Sequence, residues 1–320
     1  RRKRRLKVRV VRIVYRIRIK NSYLYDTCRD ELISIFSSYG HDIVIENCTL
    51  IKKFYPSYYT NENTDKLVDY THFMITDHHV NTGENTKPGR DDHITIFENC
   101  KILCKPISDE QQASSMYFIT GDNQNPTYDF LKFNNCDIEL QKIHSMGYGG
   151  YNNTVSSALE LEDYAKLFFN SCNIKIIDVT SDYGLFHPSF WNTYFTNCFI
   201  ECQNIIMNSF YQDTVNGSNP FTMYMKGNRI RVKKYSKSNA LFTINKIAKN
   251  NICLVNNEFI VTNENGIEED TVLYKYEDAH NYSEDTVKLY STAKYKFYSN
   301  GNRINYKSIE TAEIIEGKSD

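Results

Sequence analysis

Tryptophan occurs once in the 320 residues, proline six times and glycine 13 times, which excludes collagen-like and proline- or glycine-rich low-complexity chains. No run of 18 apolar residues is present, so no segment reads as a membrane-spanning helix. No stretch of about a dozen residues keeps apolar side chains three and four apart, which argues against a helical bundle. Nine cysteines are too dilute to staple a chain of this length. No C-x-x-C or Cys/His pair has zinc spacing, so neither a metal nor another cofactor is expected. Glycine-rich nucleotide loops, H-E-x-x-H and G-x-S-x-G are missing from any fitting context, against nucleotide and metalloprotease chemistry.

Positive charge is scarce outside one segment. Residues 1–20 (RRKRRLKVRVVRIVYRIRIK) hold eight Arg and three Lys with no acid, whereas the rest of the chain sets 27 cations, only five of them Arg, against 39 acids. That acidic body disfavours nucleic-acid recognition by the main domain. The basic head alternates Leu6, Val8, Val10 and then Ile13, Tyr15, Ile17, Ile19 with cations, so it reads as a strand, or as two with a slip between them. Arg9, Arg12, Arg16 and Arg18 interrupt what a signal peptide would keep apolar. Three roles stay open for it: a solvated strand capping the main domain, an anchor on a sheet or acidic surface of a larger assembly, or a nucleic-acid contact.

What the chain has in quantity is a repeated hexamer. Phe133-Asn134-Asn135-Cys136-Asp137-Ile138 recurs with variations from Ile45, Phe97, Phe169, Phe195, Met225, Leu254 and Ser299. Its third position is Asn47, Asn99, Asn135, Ser171, Asn197, Gly227, Asn256 or Gly301, residues that tolerate positive φ or bond their own backbone in tight turns. The fourth runs Cys48, Cys100, Cys136, Cys172, Cys198 and then Asn228, Asn257, Asn302. The sixth is apolar throughout, and two residues further Cys104, Leu140, Ile176, Cys202, Val232, Val261 and Tyr306 continue the alternation, with Lys52 out of place. Period two on both sides of a short bend means two strands meeting at a corner.

A third strand is expected in each repeat: 32–36, 72–76, 116–120, 158–162, 185–189, 220–224, 240–245 and either 271–276 or 286–290. Corner spacings of 52, 36, 36, 26, 30, 29 and 45 residues leave room for loops of varied length. Three strands per turn predict an all-β fold, a right-handed single-stranded parallel β-helix of about eight coils over 21–306. Residues 1–20 form the basic anchor segment and 307–320 a polar tail. Stacking makes the Cys run a ladder of buried free thiols and the Asn run an amide ladder bonded up and down the stack.

Function is expected on the loops at 54–70, 77–92, 141–156 and 203–219. Asp77, His78, His79, Asp91, Asp92 and His93 form the densest titratable cluster, with acid–base or Ca²⁺ chemistry weighed against a solvated loop. Glu160 and Glu162, with Asp163, sit on one strand at roughly 7 Å, between the carboxylate separations of retaining and inverting glycosidases. Phe186, His187, Phe190, Trp191 and Tyr194 are the richest aromatic patch. With Phe186 and Tyr194 turned inward, His187 and Trp191 are left as sugar contacts, and Tyr58, Tyr59, Tyr148 and Tyr151 are weaker ones.

The hydrophobic-x-Asn-Cys-x-Ile corner resembles that of the pectin-lyase-like right-handed parallel β-helix proteins, and within them bacteriophage tail spike and tail fibre domains. The resemblance spans roughly residues 30–306. The Asp-rich calcium motifs, paired-Asp motifs and Arg-containing strand motifs of the family's lyases and polygalacturonases are not found in this sequence. What the resemblance implies is a virion-associated, homotrimeric host-attachment protein that binds cell-surface polysaccharide and contacts other virion proteins through its basic head. A purely structural virion component is the alternative, and a polysaccharide lyase or glycoside hydrolase acting as a depolymerase a second one.

Overall fold

The computed structural model describes residues 15–27, 32–37, 41–54, 58–61, 66–69, 72–79, 93–107, 116–121, 129–143, 145–149, 166–178, 192–203, 207–208, 221–233, 240–245, 250–277 and 295–316. They are all-β, with parallel strands in long sheets. The first ten-stranded sheet runs Tyr15–Lys20, His41–Glu46, His93–Glu98, Asp129–Asn134, Lys166–Asn170, Asn192–Thr196, Phe221–Lys226, Asn250–Val255, Tyr295–Asn300 and Ala312–Glu316. The second runs Tyr23–Asp26, Thr49–Phe54, Lys101–Pro106, Asp137–Gln141, Asn173–Ile177, Phe199–Gln203, Arg229–Lys233, Glu258–Thr262, Arg303–Ile304 and Lys307–Ser308. Each of the first nine strands of the first sheet leads over a two-residue corner into its counterpart in the second, an arrangement compatible with a β-helix.

The corner residue explains why the bend recurs. Asn21, Asn47, Asn99, Asn135, Ser171, Asn197 and Asn256 have φ of 50–54°, and Gly227 and Gly301 have 66°. A left-handed conformation costs an ordinary L residue about 1–2 kcal/mol, and Gly and Asn less. At Gly227 a Cβ would also lie 2.6 Å from the Asn197 amide oxygen of the preceding corner, so the missing Cβ relieves two constraints. Hydrogen bonding does not break at the bend. The Asn47 N–H donates to the Glu98 carbonyl at 2.9 Å and Asn99 to Asn134 at 3.0 Å, while Lys101 N–H reaches back to the Cys48 carbonyl at 2.9 Å.

Asn21 is a ninth corner, donating to the Glu46 carbonyl. Its hexamer, Ile19-Lys20-Asn21-Ser22-Tyr23-Leu24, follows the repeat with Ser22 in the Cys position. The sheets therefore run through both expected boundaries. Tyr15–Lys20 pairs in parallel with His41–Glu46. Lys307–Ser308 and Ala312–Glu316, expected within a polar tail, pair antiparallel with Arg303–Ile304 and Tyr295–Asn300 after Asn305 and Tyr306 turn at φ 46° and 65°; the turn leaves Tyr306 60% exposed, so it does not continue the inward alternation expected of it.

Third strands form a four-stranded sheet of Ile33–Ser37, His72–His79, Met116–Gly121 and Ser145–Gly149, and a three-stranded one of Met207–Asn208, Ala240–Asn245 and Val272–Glu277. Two assignments change. The 220–224 segment is not a third strand: Phe221–Lys226 pairs with Asn250–Val255 and leads directly into the Gly227 corner, because the third strand of that short repeat shrinks to Met207–Asn208. Ser145–Gly149, expected within a loop, is a third strand paired with Met116–Gly121. Expected strands at 158–162, 185–189 and 286–290 lie outside the described residues.

Between the sheets runs a column of stacked rings, Phe97, Phe133, Phe169 and Phe195, with centroids 4.6, 5.0 and 4.8 Å apart, each 0–1% exposed. That spacing is the distance between neighbouring strands, so identical residues in successive repeats stack face on face. Phe118 of the third strands meets Phe133 at 5.7 Å and closes the core from that side.

Candidate functional site

Cys48, Cys100, Cys104, Cys136, Cys172, Cys198 and Cys202 are buried free thiols. Five of them and three asparagines fill one inward position and make the same bonds. Cys100 Sγ–H donates to the Ile45 carbonyl at 3.3 Å, Cys136 to Phe97 at 3.4 Å, Cys172 to Phe133 at 3.2 Å and Cys198 to Phe169 at 3.3 Å. Asn228, Asn257 and Asn302 donate through Nδ2 to the equivalent carbonyls of Phe195, Met225 and Leu254 at 3.1, 2.9 and 2.8 Å. As acceptor, Cys198 Sγ takes the Cys172 N–H at 3.4 Å, just as Asn228 Oδ1 takes the Cys198 N–H at 2.8 Å. Thiol and amide thus both bridge the carbonyl of the preceding repeat and the N–H left over at its corner. Burial pushes the Cys104 and Cys202 thiols up to about 12. The neighbouring Cys172 thiol, and then burial, push Cys198 up as well. These side chains hold the column together.

Lys52, out of place in the sequence, stays in phase: it points inward, is fully buried and lies 2.6 Å from the Asp26 carboxylate. The core accepts an ammonium there because a carboxylate one repeat away neutralises it.

The outer faces carry the side chains that a partner can reach. Outward positions of the first sheet alternate with the buried ones and align from repeat to repeat. One column runs Val44, Ile96, Lys132, Phe168, Tyr194, Tyr224, Cys253 and Tyr298. Phe168 stacks on Tyr194 at 4.7 Å and 15°, Tyr194 meets Tyr224 at 6.2 Å and 44°, and the Lys132 ammonium lies 5.5 Å from the Phe168 centroid. Tyr194 is thus not turned inward; Thr193 and Phe195 on either side of it are the buried residues, and the rings point to the outer face. Beside this column, Asn134 Nδ2 donates to Glu98 at 2.9 Å and Asn170 Nδ2 to Asn134 Oδ1 at 2.9 Å. From Lys132 to Asn300 the described outward positions of this sheet carry Lys132, Lys166, Lys226 and Lys296 and no carboxylate. Acids gather at the other end, where Arg16 pairs with Asp42 at 2.9 Å, and Lys20 and Arg18 with Glu46 at 2.9 and 3.5 Å. The Lys20 hydrogen bond, with Arg18 behind it, holds the Glu46 carboxyl below the usual carboxylate range. In this part of the basic head, cations answer the acids of the next repeat.

Of the residues singled out from the sequence, Glu160, Glu162, Asp163, Tyr151, Phe186, His187, Phe190, Trp191, Asp91 and Asp92 lie outside the described residues. Tyr58 and Tyr59 fall on a two-stranded antiparallel ribbon, Tyr58–Asn61 with Lys66–Asp69, and Tyr148 on the third strand paired with Thr120. Asp77, His78 and His79 end a third strand while His93 opens a first-sheet strand, so their backbones belong to different sheets. Among the described residues no group of three or more His, Cys, Asp or Glu could hold a metal ion, and no helix is long and apolar enough to cross a membrane. The sequence pattern alone did not single out Phe168 and Tyr224; aligning the residue just before each hexamer would have exposed the column. Compared with known proteins, the chain matches no family model, no curated protein and no solved structure.

Proposed function

We propose that this chain is a host-attachment protein of the tail spike type, carried on a phage particle, which binds cell-surface polysaccharide along the outer face of its first sheet. The observation that carries the polysaccharide part is the outward column of Lys132, Phe168, Tyr194 and Tyr224 beside the Glu98, Asn134 and Asn170 ladder. Rings occupy three successive repeats at Phe168, Tyr194 and Tyr224, and amides two at Asn134 and Asn170, with neighbouring repeats about 4.8 Å apart, a period close to the rise of an extended pyranose chain. A polymer lying along the stack would meet amides and then rings in successive repeats, and a rigid sheet imposes little ordering cost on the protein side. Sugars combine C–H faces with hydroxyl rims, the complement of such a strip. The stacked faces of Phe168 and Tyr194 are taken by each other, so the polymer would meet ring edges and tyrosine hydroxyls there.

The fold belonging to this reading is a right-handed single-stranded parallel β-helix of about eight coils with three strands each. The nine stacked corners, parallel registers and third-strand sheets support it. The virion setting and the homotrimer are supported by the resemblance of the corner motif. A glycan array probed with the full chain, wild type and Tyr194→Ala, tests the reading. Binding to one or more polysaccharides that falls at least about tenfold in the variant is expected. A chain that binds no glycan yet appears in purified particles is a structural component instead. Release of reducing ends from a bound polymer would make it a depolymerase.

A further inference from the structure

The outer face of the second sheet follows a charge rule with one exception. In-register neighbours alternate in sign: Lys101 with Asp137, Glu139 with Lys175, Lys175 with Glu201, Glu201 with Arg231, and Glu258 with both Arg229 and Arg303. The exception is Lys53, whose partner in register is Lys105. Both are half-buried on the outward side. Like charges directly opposite one another destabilise a sheet, and among the described residues no carboxylate pairs with either lysine. Glu46 and Glu98 are also in register, but Lys20 and Arg18 neutralise the first and Asn134 and Asn135 donate to the second at 2.9 and 3.3 Å.

Next to the lysines the same face is apolar. Tyr25, Ile51 and Leu103 stand in register one above another, and Tyr23, 65% exposed, stacks on Tyr25 at 6.5 Å. From Glu139 to Arg231 the same column is charged. Uncompensated positive charge and apolar surface thus coincide at one end of this sheet.

We propose that Lys53 and Lys105 hold between them the carboxylate of an acidic sugar unit, whose C–H face lies on Leu103, Ile51 and Tyr25. This rests on the polysaccharide reading above and adds a second contact on a different face. Two lysines whose backbones lie one strand spacing apart, about 4.8 Å, can each donate to one carboxylate oxygen, and such charge-assisted bonds are the strong ones. An inorganic anion would satisfy the lysines but leave the apolar column bare.

The test is a panel of uronate- and sialate-containing oligosaccharides, each paired with its carboxyl-reduced form, titrated into the full chain alongside inorganic sulfate. At least one acidic oligosaccharide should bind. Carboxyl reduction, Lys53→Gln and Lys105→Gln should each weaken it by about tenfold, the loss of one charge-assisted bond, and salt should weaken it further. Lys105→Glu should abolish binding while melting no lower than wild type, since it restores the alternation. Unchanged affinity in the Lys53→Gln, Lys105→Gln double variant overturns the site, and sulfate binding as tight as the sugar overturns the sugar assignment. If carboxyl-reduced forms bind equally and Tyr194→Ala abolishes binding, this site falls while the polysaccharide reading stands. If no glycan binds wild type, that reading falls and takes the site with it.

Discussion

Replacing Asn257 by alanine should unfold the column locally, and replacing it by cysteine should largely not. The Asn257 amide is 1% exposed and makes four bonds: Nδ2 to the Met225 carbonyl at 2.9 Å and to Asn302 Oδ1 at 3.0 Å, and Oδ1 from the Asn228 N–H at 3.0 Å and from Asn228 Nδ2 at 2.9 Å. Alanine leaves the Asn228 N–H and the Met225 carbonyl buried without these partners. Asn228 Nδ2 keeps Phe195, and Asn302 Oδ1 keeps the Asn257 N–H. Two orphaned groups at ~1–3 kcal/mol each give a loss of about 4 kcal/mol. A thiol spans both roles, as Cys198 does by donating to the Phe169 carbonyl at 3.3 Å and accepting the Cys172 N–H at 3.4 Å. Sulfur bonds are weaker, so Asn257→Cys should cost about 2 kcal/mol. Urea unfolding measures the totals, and amide exchange at Asn228 locates the effect, because opening of a stacked array is local. Equal losses for alanine and cysteine, or less than about 1 kcal/mol for alanine, would show that the ladder is filler and not a hydrogen-bonding device.

Asn135 bends at φ 52° with its side chain exposed, so Asn135→Val should cost about 1–3 kcal/mol through backbone strain, whereas Asn135→Gly should fall within about 1 kcal/mol of wild type; equal melting of the valine variant would contradict the corner. Asp26→Ala leaves the buried Lys52 ammonium without the carboxylate 2.6 Å away and should cost about 3 kcal/mol in urea unfolding, while the double change Asp26→Leu, Lys52→Met should be close to neutral. Cys104 and Cys202 titrate near 12 in the fold against about 8.5 when unfolded. A raised thiol favours the folded state fully below pH 8.5 and progressively less from there to pH 12. Unfolding free energy should therefore drop by about 2 kcal/mol per thiol by pH 10, and a Cys104→Ala, Cys202→Ala double variant should show a shallower alkaline slope.

The repeated hexamer determined much of this protein on its own. Positive φ is cheap only for Asn, Gly and a few others, so a row of such residues marks bends, and period two on either side assigns inward and outward faces without a structure. The same arithmetic placed the Cys and Asn ladder inside. Bends at Lys142 and Asp178, with φ of 52° and 58°, carry no such signature and were not legible, nor was the shrunken third strand at Met207–Asn208, too short for periodicity to register. The pairing of Lys52 with Asp26 was hidden because the residues come from successive repeats, 26 positions apart. The outer columns were hidden for a related reason: loops of unequal length separate Phe168, Tyr194 and Tyr224, or Lys53 and Lys105, and only strand register sets them side by side. Local sequence fixes which way each side chain points, because that depends on the backbone of its own strand. Which side chains become neighbours across strands is a matter of register, and register is decided by how whole repeats pack.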